Sequence, residues 1–203
     1  YVSSKDCDLT DSDAALALFR RVRPTHVVHA AARVGGLYMN LQDPLQIGVG
    51  NVQMNTGVIQ ACLACSVQHL VALSSTCIYP SELPTFAEED MHCGAPHTSN
   101  MDYALSKRLM HAIIDKARRE HAFAAAWKVL VPCNLYGPHD KFSVDKGHVL
   151  GALIGKACRP SPSLEVLGTG AARRQFMHVS DLARIIDAVL LGNHALRMPI
   201  PDE

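Results

Sequence analysis

Two spacings of apolar residues alternate along the chain. Short continuous runs, His26-Val-Val-His-Ala-Ala-Ala32 and His69-Leu-Val-Ala-Leu-Ser-Ser75, predict buried strands. Ala124–Cys133, centred on Trp127-Lys-Val-Leu-Val131, and the shorter Leu164-Glu-Val-Leu167 predict two more. Between them, apolar residues recur at helical spacing and predict helices over Ser12–Val22, Asn51–Ser66, Asn100–Glu120, His148–Ala157 and Asp181–Leu191. In the second of these the periodic residues are Val52, Val58, Ile59, Cys62 and Leu63. Thr10 or Asp11 can cap the first helix, Gly35-Gly36 interrupts the chain after a strand, and Pro80 to Pro96 is a long polar loop. Tyr1-Val-Ser-Ser4 reads as the second half of a further strand. Strand alternating with helix predicts an α/β fold, a doubly wound parallel sheet in a single domain over 1–203.

Composition narrows the function classes. Lys plus Arg and Asp plus Glu balance at 19 each, so no overall field attracts nucleic acid or an acidic membrane. No apolar run approaches a membrane span and no signal peptide is recognised. Seven scattered cysteines suit a reducing compartment, and a cytoplasmic location is expected. Cys62 and Cys65 form a lone C-x-x-C inside a helical run, and the 11 histidines show no ligand spacing, so no metal site is expected.

The chemistry gathers where parallel strands end, since ligands of open parallel sheets sit outside those carboxyl ends. Tyr103 and Lys107 lie four apart at the start of a helix, hence on one face. An ammonium near a phenol favours the phenolate and pulls its pKa down from about 10. Such a tyrosine exchanges protons with a ketone or an alcohol. Ser74-Ser-Thr-Cys-Ile-Tyr-Pro80 brings hydroxyls and a thiol to the end of the strand at His69. Ala30-Ala-Ala-Arg-Val-Gly-Gly36 offers small residues, including Ala31 and Ala32, that a flat cofactor can approach. Ser3, Ser4 and Lys5 suit a ribose 2′-phosphate better than a free 2′-hydroxyl, which leans the cofactor toward NADP(H).

Val28-His-Ala-Ala-Ala-Arg-Val-Gly-Gly36, Ser75-Thr-Cys-Ile-Tyr-Pro80, Asn134-Leu-Tyr-Gly-Pro-His-Asp140, Gly147-His-Val-Leu150 and Arg173-Arg-Gln-Phe176 together resemble the extended short-chain dehydrogenase/reductases, up to about Leu191. The resemblance is nearest to members that epimerise and reduce GDP-4-keto-6-deoxymannose with NADPH. It implies Ser75 as the hydroxyl orienting the carbonyl, Tyr103 as acid/base, and Lys107 as its pKa partner and ribose ligand. It further implies cofactor contacts from Asp8, at adenine, and Asn51. Cys77 and His148 match the base and acid that move the protons on C3 and C5. Asn134, Lys156 and Arg174 match substrate-binding positions, which places the substrate elements within 134–203. A homodimer through the helices 51–66 and 100–120 is also implied.

Leu167 stands where a tryptophan is expected and Lys141 where an asparagine is common. The family's opening strand and glycine-rich pyrophosphate turn have no match before Ser3. A gap in the sheet between the strands at Tyr1 and His69, with weak NADPH binding, is therefore expected. Two alternatives stay open: a catalytically silent fragment that keeps the dimer helices, and another nucleotide-sugar epimerase of the same family.

Overall fold

Helix α1 (Ser12–Val22) starts where Asp11 accepts hydrogen bonds from the backbone N–H groups of Asp13 and Ala14, and ends at Arg23 in a left-handed conformation. A computed structural model describes this and the other elements over residues 1–34, 42–143, 147–161, 163–166 and 168–192. After β1 (His26–His29) comes α2 (Pro44–Ala64), which begins seven residues before the predicted start at Asn51. Gly48 and Gly50 hide that turn from a reading by helix propensity. Both glycines are close-approach sites. A Cβ on Gly48 would lie 3.0 Å from Asp102 Cβ, and one on Gly50 would lie 2.9 Å from Arg33 Cδ. Asp43 caps this earlier start, with Pro44 as its first helical residue.

Strand β2 (His69–Leu73), helix α3 (Met101–Glu120) and strand β3 (Lys128–Leu130) follow. The three strands form a parallel sheet in the order β1-β2-β3. His26 faces His69, with rings stacked 4.3 Å apart, and Leu73 faces Leu130. The expected gap beside His69 is thus overturned, because β1 pairs directly with β2. No strand forms at Tyr1 either. The Asp6 carboxylate accepts hydrogen bonds from the Ser3 N–H at 2.8 Å and Ser3 Oγ at 2.7 Å. That turn takes the donor a ladder would need.

The strand predicted over Ala124–Cys133 is shortened at both ends, to Lys128–Leu130. Ala122–Ala126 coils into a 3-10 turn, because its alanines favour helical geometry, and pairing begins only after Trp127. Leu164–Val166 forms no strand, and Leu167 lies outside the described residues. Two strands unmarked in the sequence, β4 (Asn134–Tyr136) and β5 (Phe176–His178), pair in parallel as a second small sheet. Helices α4 (Val149–Ala157) and α5 (Val179–Leu190) follow in the C-terminal third.

Phe19 of α1, Val58, Ile59 and Cys62 of α2, Met110 and Ile114 of α3, Leu70 and Ala72 of β2, and Trp127 share one buried cluster. Val71 points to the opposite face of β2 and is buried too. α5 packs against this strand, so helices cover both faces of the sheet, as the alternating pattern predicts. Ile59, Cys62 and Ile114, which belong to the proposed dimer helices, are therefore core residues. The apolar side chains that α2 and α3 present outward are instead Leu45, Val49, Leu105 and Leu109.

Candidate active site

Strand β2 ends at Leu73, and the chain turns through Ser75 into a short 3-10 turn, Thr76–Ile78. Ser75 is extended and caps this turn: its Oγ accepts the Cys77 N–H at 3.3 Å. The hydroxyl proton stays available for an outside acceptor. Cys77 is partly buried two residues further on.

Tyr103 and Lys107 meet these residues from α3. Lys107 is buried and donates from Nζ to the Leu73 carbonyl at 2.8 Å, which ties the helix to the end of β2. The same ammonium lies 5.8 Å from the centre of the Tyr103 ring. Burial lowers the Lys107 pKa to about 8. The Tyr103 phenol moves up, by burial first and then by the nearby Cys77, which reverses the expected direction. The physical reason lies in Lys107. Its ammonium is directed at Leu73 O, and burial of the phenol, with Cys77 beside it, sets the direction instead. As placed, Tyr103 is a held proton donor.

Three supporting residues carried no sequence signal of this kind. Arg108 donates from Nε to the Ile78 carbonyl at 2.7 Å and from Nη2 to the Gly94 carbonyl at 2.9 Å. His29, buried at the end of β1, donates from Nε2 to Asn55 Oδ1 at 2.9 Å, while Asn55 Nδ2 reaches the Ser106 carbonyl at 3.4 Å. Burial, with Lys107 nearby, drives the His29 pKa down to about 4. A histidine in an apolar run and an arginine in a helix read as core and surface residues. Only the packing of α2 and of the segment after β2 against α3 and β1 reveals their partners.

Asn51 is fully buried. Its Oδ1 accepts the Arg33 N–H at 2.9 Å, and its Nδ2 donates to the carbonyls of Arg33 at 2.9 Å and Ile47 at 2.8 Å. The side chain thus fixes the segment after β1, where Ala31 and Ala32 are half-buried. Asp8 closes a turn onto the Thr10 N–H and hydroxyl at 2.9 and 2.7 Å. Ser3 is held by Asp6, and Ser4 and Lys5 are exposed. Gly35 and Gly36 lie outside the described residues.

The remaining predicted residues sit on the second sheet and α4. Asn134 donates to the Gln175 carbonyl at 3.0 Å, joining β4 to the approach of β5. His148 is the exposed N-cap residue of α4 and makes no side-chain cap hydrogen bond. Lys156 donates to the Glu165 backbone carbonyl at 2.9 Å, and exposed Arg174 reaches the Arg173 carbonyl at 2.8 Å. Lys141 is exposed. Lys107 thus ties α3 to the end of β2, two residues before Ser75, and the turn bearing Cys77 packs against the same helix near the Tyr103 phenol, whereas His148, Lys156 and Arg174 belong to other elements. Among the described residues no three metal-ligating side chains cluster, and no helix is long and apolar enough to cross a membrane.

Comparison with known proteins places the chain by sequence and by fold. The chain is 36% identical over 188 residues to GDP-L-fucose synthase of Dictyostelium discoideum, covering 91% of this chain and 58% of that protein. It is 32% identical over 202 residues to GDP-L-colitose synthase of Yersinia pseudotuberculosis, covering 97% and 65%. A GDP-L-fucose synthetase from Naegleria fowleri, solved bound to NADP, superposes with a TM-score of 0.82 at 35% identity, over 92% of this chain and 62% of that one. The chain thus spans roughly three fifths of the length of these relatives. Residues 2–197 match the NAD dependent epimerase/dehydratase family. On the sequence match and the shared parallel α/β fold, this protein belongs to that family.

Proposed function

We propose that the chain carries the catalytic face of an NADPH-dependent enzyme that epimerises C3 and C5 of GDP-4-keto-6-deoxymannose and reduces its C4 carbonyl to give GDP-L-fucose. The observation that carries this reading is the hydrogen bond from Lys107 to Leu73 O. It brings the Tyr103 face of α3 to the strand end bearing Ser75 and Cys77. The donor set fits a nicotinamide ribose. Lys107 Nζ has three protons and uses one on Leu73 O, and the buried Ser74 Oγ at the same strand end has no partner among the described residues. Lys107 would hold the ribose, Asp8 the adenine, and Ser3, Ser4 and Lys5 the 2′-phosphate, with Ala31, Ala32 and the Asn51-anchored segment flanking the cofactor. When bound, NADPH supplies the hydride that reaches C4.

The chain's own residues do the proton chemistry. Ser75 donates its free hydroxyl proton to the C4 oxygen, and the held phenol of Tyr103 donates to the same oxygen. Both protons flanking one carbonyl become acidic through this single oxyanion site. Cys77 takes a proton from C3 or C5, and His148 returns one to the opposite face of that carbon. At the reduction step Tyr103 gives its proton to the C4 oxygen, leaving a hydroxyl. Asn134, Lys156 and Arg174 are assigned to the nucleotide sugar, the two cations to its diphosphate.

A homodimer through α2 and α3 belongs to the same proposal, supported by the outward Leu45, Val49, Leu105 and Leu109. So does a cytoplasmic location, supported by seven free cysteines. The test is NADPH oxidation with the 4-keto sugar. Tyr103→Phe should lower turnover about a hundredfold or more. Cys77→Ser should slow solvent-deuterium exchange at C3 and C5 more than hydride transfer. Turnover of Tyr103→Phe at the parent rate would sink the reading.

A further inference from the structure

The segment Ser74–Cys77 is held at both ends by consecutive residues of α3. Lys107 takes the carbonyl of Leu73 just before it, and Arg108 takes the carbonyl of Ile78 just after it. We infer that Arg108 is the positioning residue that sets the Cys77 end of this turn against the Tyr103 helix, an inference that rests on the function proposed above.

The geometry is specific to a guanidinium. Nε–H and one Nη2–H lie on the same edge of a rigid plane, so they point in parallel at two neighbouring carbonyls. Those carbonyls belong to Ile78 and Gly94, the two feet of the loop that follows the turn. The feet also touch directly: Ser81 N–H donates to the Ala95 carbonyl at 3.2 Å, and a Cβ on Gly94 would stand 3.2 Å from Pro80 Cβ. Tyr79 and Phe86 stack at 4.2 Å within the loop. Within the turn, Ile78 N–H donates to the Ser75 carbonyl at 3.2 Å and Tyr79 N–H to the Thr76 carbonyl at 3.2 Å. A displacement at Ile78 therefore passes straight to Cys77 and Ser75.

The two stitches are not equivalent. Without Arg108, Lys107 still holds the Leu73 end, so Ser75 keeps its nearer anchor while Cys77 loses its own. The loop feet also lose their shared donor. Removing Arg108 should loosen Cys77 selectively, and the base of the proposed epimerisation should suffer more than the hydroxyl of the reduction.

Cysteine reactivity reads this without cofactor or substrate, so an inactive chain would refute the proposed function and leave this measurement unaffected. The 203-residue chain is alkylated with iodoacetamide at fixed pH, and the rate at each cysteine is followed by peptide mass spectrometry. Buried Cys62 reports global opening and exposed Cys158 reports reagent strength. In Arg108→Gln, Cys77 should react about tenfold faster, through local opening, with Cys62 and Cys158 unchanged. Arg108→Lys, able to meet one carbonyl but not both, should fall between the two. Trp127→Phe serves as the control, because it removes the bond from Trp127 Nε1 to the Val67 carbonyl and weakens the core at the other end of the sheet. A Cys77 rate in Arg108→Gln equal to the parent's overturns the inference. So does a rise shared by Cys62, or Trp127→Phe speeding Cys77 as much as Arg108→Gln does.

Discussion

His29 should make the fold acid-sensitive in a way one substitution can isolate. It is 3% exposed, at the end of β1, with its Nε2 proton on Asn55 and Lys107 close enough to disfavour a second positive charge. Its pKa is about 4 in the folded chain, against an ordinary value of 6.5. Between those two pH values the unfolded chain binds a proton at His29 that the folded chain does not. Stability therefore falls as pH falls, beginning below 6.5 and levelling near 4. Each pH unit in that window removes about 1.4 kcal/mol, or about 3 kcal/mol in all, a large share of a typical 5–15 kcal/mol margin. The group is buried, so solvent screening removes little of this. Urea unfolding of the parent chain and of His29→Gln at half-unit steps from pH 4.5 to 7.5 is the assay. Gln keeps a donor for Asn55 and cannot titrate, so absolute stability is set aside and only the slope compared. The parent should be steeper by roughly one proton's worth across pH 4.5 to 6. Equal slopes would show that His29 either stays neutral in both states or protonates equally in both, and would refute its part in the acid sensitivity.

Gly57 lies inside α2, where an added Cβ would meet the Leu9 carbonyl oxygen at 3.4 Å, ordinary contact. Gly57→Ala should therefore stabilise the chain by about 0.5–1 kcal/mol through helix propensity, and a lowered thermal midpoint would contradict the spacing. The outward Leu45, Val49, Leu105 and Leu109 should drive dimerisation through α2 and α3. Leu105→Glu with Leu109→Glu should then shift sedimentation velocity toward monomer, and a parent chain that stays monomeric at every concentration would remove the interface.

The sequence made α1 legible because its cap, apolar spacing and terminating Pro24 agree at every level. It also exposed the catalytic candidates, since Tyr103 and Lys107 are one helical turn apart and their shared face follows from 3.6 residues per turn. Ser75 and Cys77 were legible as polar residues closing an apolar strand. The start of α2 was not. Gly48 and Gly50 look like helix breakers until Asp102 and Arg33 are seen pressing on them. Strands β4 and β5, three residues each, are too short to carry a period and exist only because they pair with each other.

Local spacing by itself thus determined the fold class, the order of the main elements and the identity of the residues at the strand ends, because each of these is encoded within a few neighbouring positions. Tertiary structure decided the rest. It put β1 beside β2, assigned Arg108 and His29 their partners 30 and 26 residues away, and turned the Tyr103 phenol upward in pKa where the spacing alone pointed downward. Those outcomes depend on desolvation and on which carbonyl takes each proton. Both are set by segments distant in the chain that packing brings together, so the spacing of residues along one helix could not carry them.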